Sequence, residues 1–185
     1  GTENTSNSTW RYLNDINQFS CDACKWQTPT MAASTMIPPP SVRSNHVACT
    51  VGNRYVVLIG GSGKERADQS TVRYGDLHIL DTNPSSFGWM LCEVKCTHGA
   101  TKALTPRTYH AGCSLPGGVV AVFGGFTGTV DVQDVVLISM NRVLRRFENE
   151  DGVVMRPTVN VVYGTLSSVM APRPSVRRFH TLESI

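Results

Sequence analysis

Four sets of residues in this chain are of types that do chemistry. The first is thiol. Cys21-Asp-Ala-Cys24 is a CxxC pair, and Cys92 and Cys96 stand just before His98. Zinc takes such ligands when two pairs converge. Here Cys24 and Cys92 are 68 residues apart and Cys92 falls inside a predicted strand, so no metal site is expected. A thioredoxin-like redox role needs a βαβ pattern, and none follows the CxxC. The second set is the run Gly60-Gly61-Ser62-Gly63-Lys64, which has the look of a phosphate loop. That motif requires Ser or Thr after the lysine and then a helix, whereas Glu65 follows here and no helical period is evident. The third is three histidines, His46, His110 and His180, in similar local contexts. The fourth is a group of cations: Arg43, Lys64, Arg66, Arg73, Arg107 and Arg177. A guanidinium presents a fork that matches a carboxylate, so loop arginines suit recognition of an acidic or polar peptide. The competing reading is ordinary solvated charge and ion pairs internal to the fold. No GxSxG nucleophile motif is present. The chain is therefore read as having no catalytic residue, no metal and no cofactor.

The elements that must hold these residues come from an internal repeat. His46 and His110 are 64 residues apart, and so are the diglycines Gly60–Gly61 and Gly124–Gly125. A third copy begins at Pro174-Ser175-Val176-Arg177-x-x-His180, matching Pro40-Ser41-Val42-Arg43-x-x-His46. Residues kept in one register across copies serve the packing of the repeat, which is the expected role of the histidines and of Cys49 and Cys113. Strands follow from the hydrophobic pattern: 46–51, 55–59, 76–81 and 89–94 in the first copy, then 110–115, 119–123, 134–139 and 158–164 in the second. Residues 141–157 become an insertion. Asp76 and Asp134 open the third strands, where a carboxylate can tie down loop N–H groups. Four strands in a unit of this length describe a propeller blade.

Composition is that of a globular chain and not a disordered one. The 185 residues are 41% hydrophobic and 17% charged, with a net charge of +3. That balance is no nucleic-acid footprint, and apolar runs of four to six residues are too short for a membrane helix. Six cysteines in a chain rich in core residues do not need to be disulfides. Asn4-Thr5-Ser6 and Asn7-Ser8-Thr9 match the glycosylation sequon, a triplet that arises often by chance in such tails. The expected compartment is reducing and intracellular, the cytoplasm or nucleus.

Taken together, these motifs resemble the kelch-repeat family, whose pattern runs P-R-x-x-H, an apolar strand ending in Gly-Gly, then D-L-x-x-x-D and a tryptophan. The first copy matches at Arg43, His46, Gly60, Gly61, Asp76, Leu77, Asp81 and Trp89, and the second at Pro106, Arg107, His110, Gly124, Gly125 and Asp134. The second copy departs in lacking the tryptophan and in carrying Ser139 at the second acidic position. The resemblance implies an all-β, kelch-type β-propeller with four-stranded blades. On this reading 1–24 is a polar leader, 25–31 a fourth strand, 38–94 and 104–164 two full blades, and 172–185 the start of a further one. Two full blades and two partial ones fall short of the roughly four to eight of a closed ring, so self-association or pairing with other chain parts is expected. The resemblance also implies a non-catalytic protein-binding module acting through its inter-strand loops. Some kelch propellers belong to copper-radical oxidases, but the tyrosines, histidines and cysteine of their site cannot be placed here. Residues 8–20 resemble the tail after an F-box in F-box/kelch ubiquitin ligase adaptors, which implies an adaptor role as the alternative reading.

Overall fold

The computed structural model describes residues 2–4, 10–32, 37–64, 70–90, 93–96, 105–140, 158–164, 181 and 183. Every regular element among them is a strand. The first blade uses β5 (Val47–Val51), β6 (Tyr55–Ile59), β9 (Leu77–Asp81) and β10 (Gly88–Met90). They form one antiparallel sheet in the order β10-β9-β6-β5. The second blade uses β12 (Ala111–Leu115), β13 (Val119–Phe123), β14 (Val135–Ser139) and β15 (Thr158–Gly164), also antiparallel.

Side-chain alternation explains how the blades stack. Along β6, Tyr55, Val57 and Ile59 are buried while Val56 and Leu58 are half-buried on the other side. The odd-numbered set, with Val47, Cys49, Val51, Leu77 and Ile79, packs in one cluster with Val120, Val122, Val136, Ile138 and Met140 of the second blade. Val57, Ile59, Ile79, Val120, Val122, Val136, Ile138 and Met140 are wholly inaccessible to solvent. Each such side chain contributes roughly 1.5–3 kcal/mol of hydrophobic free energy, so the blade-to-blade face is the main core.

One strand expectation is corrected. The run 89–94 is not one strand. Gly88–Met90 pairs with β9, while β11 (Glu93–Cys96) runs parallel to β15 and makes the second blade's sheet five-stranded. Periodicity alone cannot see a strand change sheets. In place of the tryptophan missing from the second copy stands Val161: Trp89 lies opposite Leu80, and the equivalent place opposite Ile138 is held by Val161.

The segment set apart as a leader is built like a repeat. β1 (Thr2–Asn4) pairs with β2 (Trp10–Tyr12), and β3 (Gln18–Ser20) with β4 (Lys25–Gln27), the last ending well before Met31. Phe19 lies opposite Trp26 as Leu80 lies opposite Trp89. A second hairpin, β7 (Ser62–Lys64) with β8 (Thr71–Arg73), stands before β9 as β1–β2 stands before β3. Strand β2 ends three residues before Asp15 and β8 three before Asp76. Lys25–Gln27 is thus the fourth strand expected there, shorter than 25–31, and β1, β2 and β3 make the segment read as a leader the preceding part of the same unit. Ile16 from this half unit packs on Leu80, Phe87 and Trp89, on the face of the first blade turned away from the second.

Candidate functional site: the loop end of the blades

The loops that enter each first strand meet the loops that leave each second strand at one end of the sheets. Ser44 and Ser62 exchange two backbone hydrogen bonds of 2.8 and 2.9 Å, and Thr108 and Phe126 repeat the exchange at 3.0 and 2.8 Å. Gly61 and Gly125 lie beneath these bridges with φ of 96° and 101°. A Cβ on Gly61 would stand 2.7 Å from the Ser44 carbonyl oxygen and one on Gly125 2.8 Å from that of Thr108. Glycine is required at both positions by backbone conformation and by space.

An arginine clamps each crossing. Arg43 donates to both carboxylate oxygens of Asp76 at 2.6 and 2.8 Å, to the Gly60 carbonyl at 3.0 Å and to the Ser41 carbonyl at 3.0 Å. Arg107 repeats the set with Asp134 at 2.6 and 2.8 Å, Gly124 at 3.2 Å and Thr105 at 3.2 Å. The guanidinium of Arg43 also lies over the Tyr74 ring, 4.0 Å from its centroid. Both arginines are buried, with 2% and 0% relative exposure. This corrects their assignment to partner binding: a fork already filled by a carboxylate and a carbonyl has no face left for a ligand. They are parts of the repeat, as the intra-blade ion-pair reading anticipated. Burial would raise the pKa of Asp76, but Arg43 and a 2.8 Å contact from His78 outweigh it and hold the carboxyl well below its usual range.

The histidine of the second copy joins one unit to the next. His110 is buried and its Nε2 lies 3.2 Å from the Ile59 carbonyl of the first blade. Backbone bonds from Gly61 to Arg107 and from Arg107 to Tyr74 add to the seam. His46, at the same place in the first blade, has a buried Nδ1 with no hydrogen-bond partner among the described residues. Burial lowers its pKa, and nearby Arg43 pushes the same way. Asn45 and Tyr109, one residue before each histidine, both take left-handed backbone with φ of 55° and 58°, and the Tyr109 N–H donates to the Asn45 carbonyl.

Two cations remain where a partner could reach them. Lys64 is exposed at the end of β7, its Nζ donating to Thr71 Oγ1 at 3.2 Å. Arg73 is half-buried, its guanidinium 5.1 Å from the centre of the Phe126 ring and close over Gly128 of the second blade. Arg73 Nε is buried with no hydrogen-bond partner among the described residues. The hairpin that carries both is longer than its counterpart in the second blade, where one bridge joins Phe126 and Asp131: Arg43 and Asp76 are 33 residues apart, Arg107 and Asp134 only 27. Arg66, Arg177 and His180 lie outside the described residues.

Sequence reasoning missed the cluster at the opposite end. Asp81 receives two hydrogen bonds from Arg54 at 2.8 and 2.7 Å, one from Ser86 Oγ at 2.7 Å and one from the Asn83 N–H at 3.0 Å. These donors overcome burial and hold its pKa low. Asp81 was legible as a family position, but its partner was not, because the second copy lacks both. Gly118 stands where Arg54 does, and Ser139 where Asp81 does, while the backbone bond survives as Thr82 N to Arg54 O and Met140 N to Gly118 O. Among the described residues no group of three or more His, Cys, Asp or Glu side chains could hold a metal.

The repeated arginine–aspartate clamps, diglycines and seam histidine coincide with a match to one family model. That model, described as the KLHDC2/KLHL20/DRC7 Kelch-repeats domain, covers residues 2–147. The chain belongs to the kelch-repeat family. The kelch match begins at residue 2, inside the former leader, in keeping with the half unit found there. Among curated relatives, the flagellar outer-arm dynein alpha chain of Chlamydomonas reinhardtii is 31% identical over 115 residues, 62% of this chain and 2% of that protein. The acyl-CoA-binding domain-containing protein 5 of Arabidopsis thaliana is 28% identical over 125 residues, 68% of this chain and 17% of that protein. The chain therefore spans a small part of the length of either relative.

Proposed function

We propose that this kelch segment is a non-catalytic protein-interaction module that takes an acidic or polar peptide on its loop end. The observation that carries the reading is the β7–β8 hairpin. It extends beyond its counterpart in the second blade, where a single bridge joins Phe126 and Asp131, so its outer part is not needed to build a blade. It presents Lys64 to solvent and sets Arg73 against Phe126, a cation held on an aromatic face. Arg66 falls between the two strands in sequence and adds a third cation to the same loop. The ubiquitin ligase adaptor role rests on residues 8–20 alone, and the β2 and β3 strands give that stretch a place in the repeat. It therefore adds nothing to the interaction reading.

The test is an array of peptides graded in acidic content, probed with the full chain at two salt concentrations. Binding should rise with Asp and Glu content, weaken with salt and fall in a Lys64→Glu, Arg66→Glu variant whose melting temperature is unchanged. Binding indifferent to charge, or untouched by the double variant, refutes the acidic-peptide reading.

A further inference from the structure

The Cys21–Cys24 turn carries two thiols that the repeat does not explain. Cys49 and Cys113 hold the same place in successive blades, on β5 and β12, as packing residues do. In the β9–β10 connection, the first and last turn residues, matching Cys21 and Cys24, are Thr82 and Phe87. Phe87 is buried in the blade, whereas Cys21 and Cys24 are both free and exposed at the tip of the β3–β4 hairpin. The turn is also fixed. Ser20 Oγ accepts from the Ala23 N–H at 3.2 Å, and Cys24 Sγ lies 3.3 Å from the Cys21 carbonyl oxygen, folded back over the start of the turn. Cys24 holds this position with φ of 47°, which a side chain other than that of Gly or Asn adopts at a cost.

We propose that Cys21 and Cys24 bind one monovalent copper ion through their two thiolates. Soft thiolate ligands select monovalent copper and zinc over harder ions. Protein-bound zinc is almost always four-coordinate, and no third His, Cys, Asp or Glu joins a metal-binding group among the described residues. Monovalent copper is satisfied by two sulfurs. On binding, each thiol loses its proton to solvent, two sulfur–copper bonds form, and the ion stays monovalent, so no oxidant or reductant is consumed. Because the ligands must deprotonate, affinity rises with pH. The site is independent of the peptide-binding loops and stands or falls without them.

The experiment is an anaerobic titration of the reduced full chain with monovalent copper in competition with bicinchoninate. The expected result is one ion per chain, loss of two titratable thiols and greater uptake at higher pH. Cys21→Ser and Cys24→Ser should each abolish this stoichiometric uptake with the far-ultraviolet dichroism unchanged, while Cys113→Ser should retain it. Uptake persisting in the Cys21→Ser, Cys24→Ser double variant would overturn the proposal. So would failure to compete with bicinchoninate, or a preference for zinc bound between two chains.

Discussion

At the scale of single residues, the loop end is organised by buried charge. Arg107 serves four acceptors: the two oxygens of Asp134 and the carbonyls of Gly124 and Thr105. Replacing it with alanine strands all of them, and breaking a buried pair from one side costs on the order of 3–5 kcal/mol. Thermal unfolding of Arg107→Ala should show that loss, and Lys64→Ala, at an exposed site, should show almost none. The pH dependence has a definite sign. The Asp76 carboxyl is held below its ordinary value of 3.8, so the folded state binds fewer protons than the unfolded state as pH falls past that value. Its stabilising contribution is complete above pH 3.8 and is lost progressively below it. Acid unfolding of Asp76→Asn should therefore be flatter below pH 4 than that of the parent; identical acid limbs would contradict the assignment. The sequence exposed Arg43 and Arg107 as candidates but not their direction. Spacing gives a residue's place in a repeat, whereas burial depends on the carboxylate 33 or 27 residues further along.

At the scale of elements, what was legible followed from period-two alternation. β6 and β13 stand where their apolar runs and glycine stops predict, because a blade strand buried between neighbours needs an unbroken apolar run. The end of β10 was illegible for the same reason. Residues 89–94 keep one hydropathic pattern while the backbone leaves one sheet and joins another. The lost Arg54–Asp81 pair follows from turn geometry. Gly117 and Gly118 are both left-handed, with φ of 76° and 70°, whereas Arg54 closes a turn in which Gly52 takes that conformation. An arginine cannot sit comfortably at Gly118, and an acidic residue at 139 would then be buried without a partner. Gly61→Ala and Gly125→Ala should each be destabilising by about 2 kcal/mol or more, since strain from positive φ adds to a contact under 3 Å. Denaturant midpoints for the pair should fall together; a loss in only one would mean that the two crossings are not equivalent.

At the scale of the molecule, the two blades bury their shared face, and the half unit before them leaves its own face open. Phe19 is 46% exposed and Trp26 70% exposed, stacked edge to face at the positions where the first blade holds Leu80 and Trp89. In the first blade, Ile16 helps to cover that position. The isolated chain should self-associate through the open hairpin, and Trp26→Ser should lower its weight-average mass in sedimentation without lowering the melting temperature. Trp89→Ser, by contrast, should unfold the first blade. Of the half unit only the fourth strand was legible in the sequence, because the apolar marks before it, Ile16 and Phe19, are too sparse among polar residues to show a period. The parallel strand β11 has a further consequence in time. Glu93 pairs with Thr158, 65 residues later in the chain. A ribosome adding roughly 5–20 residues per second delivers the second strand several seconds after the first. For that interval Glu93–Cys96 is a nascent strand without its β15 neighbour, so the outer margin of the second blade closes only once Thr158–Gly164 has been made.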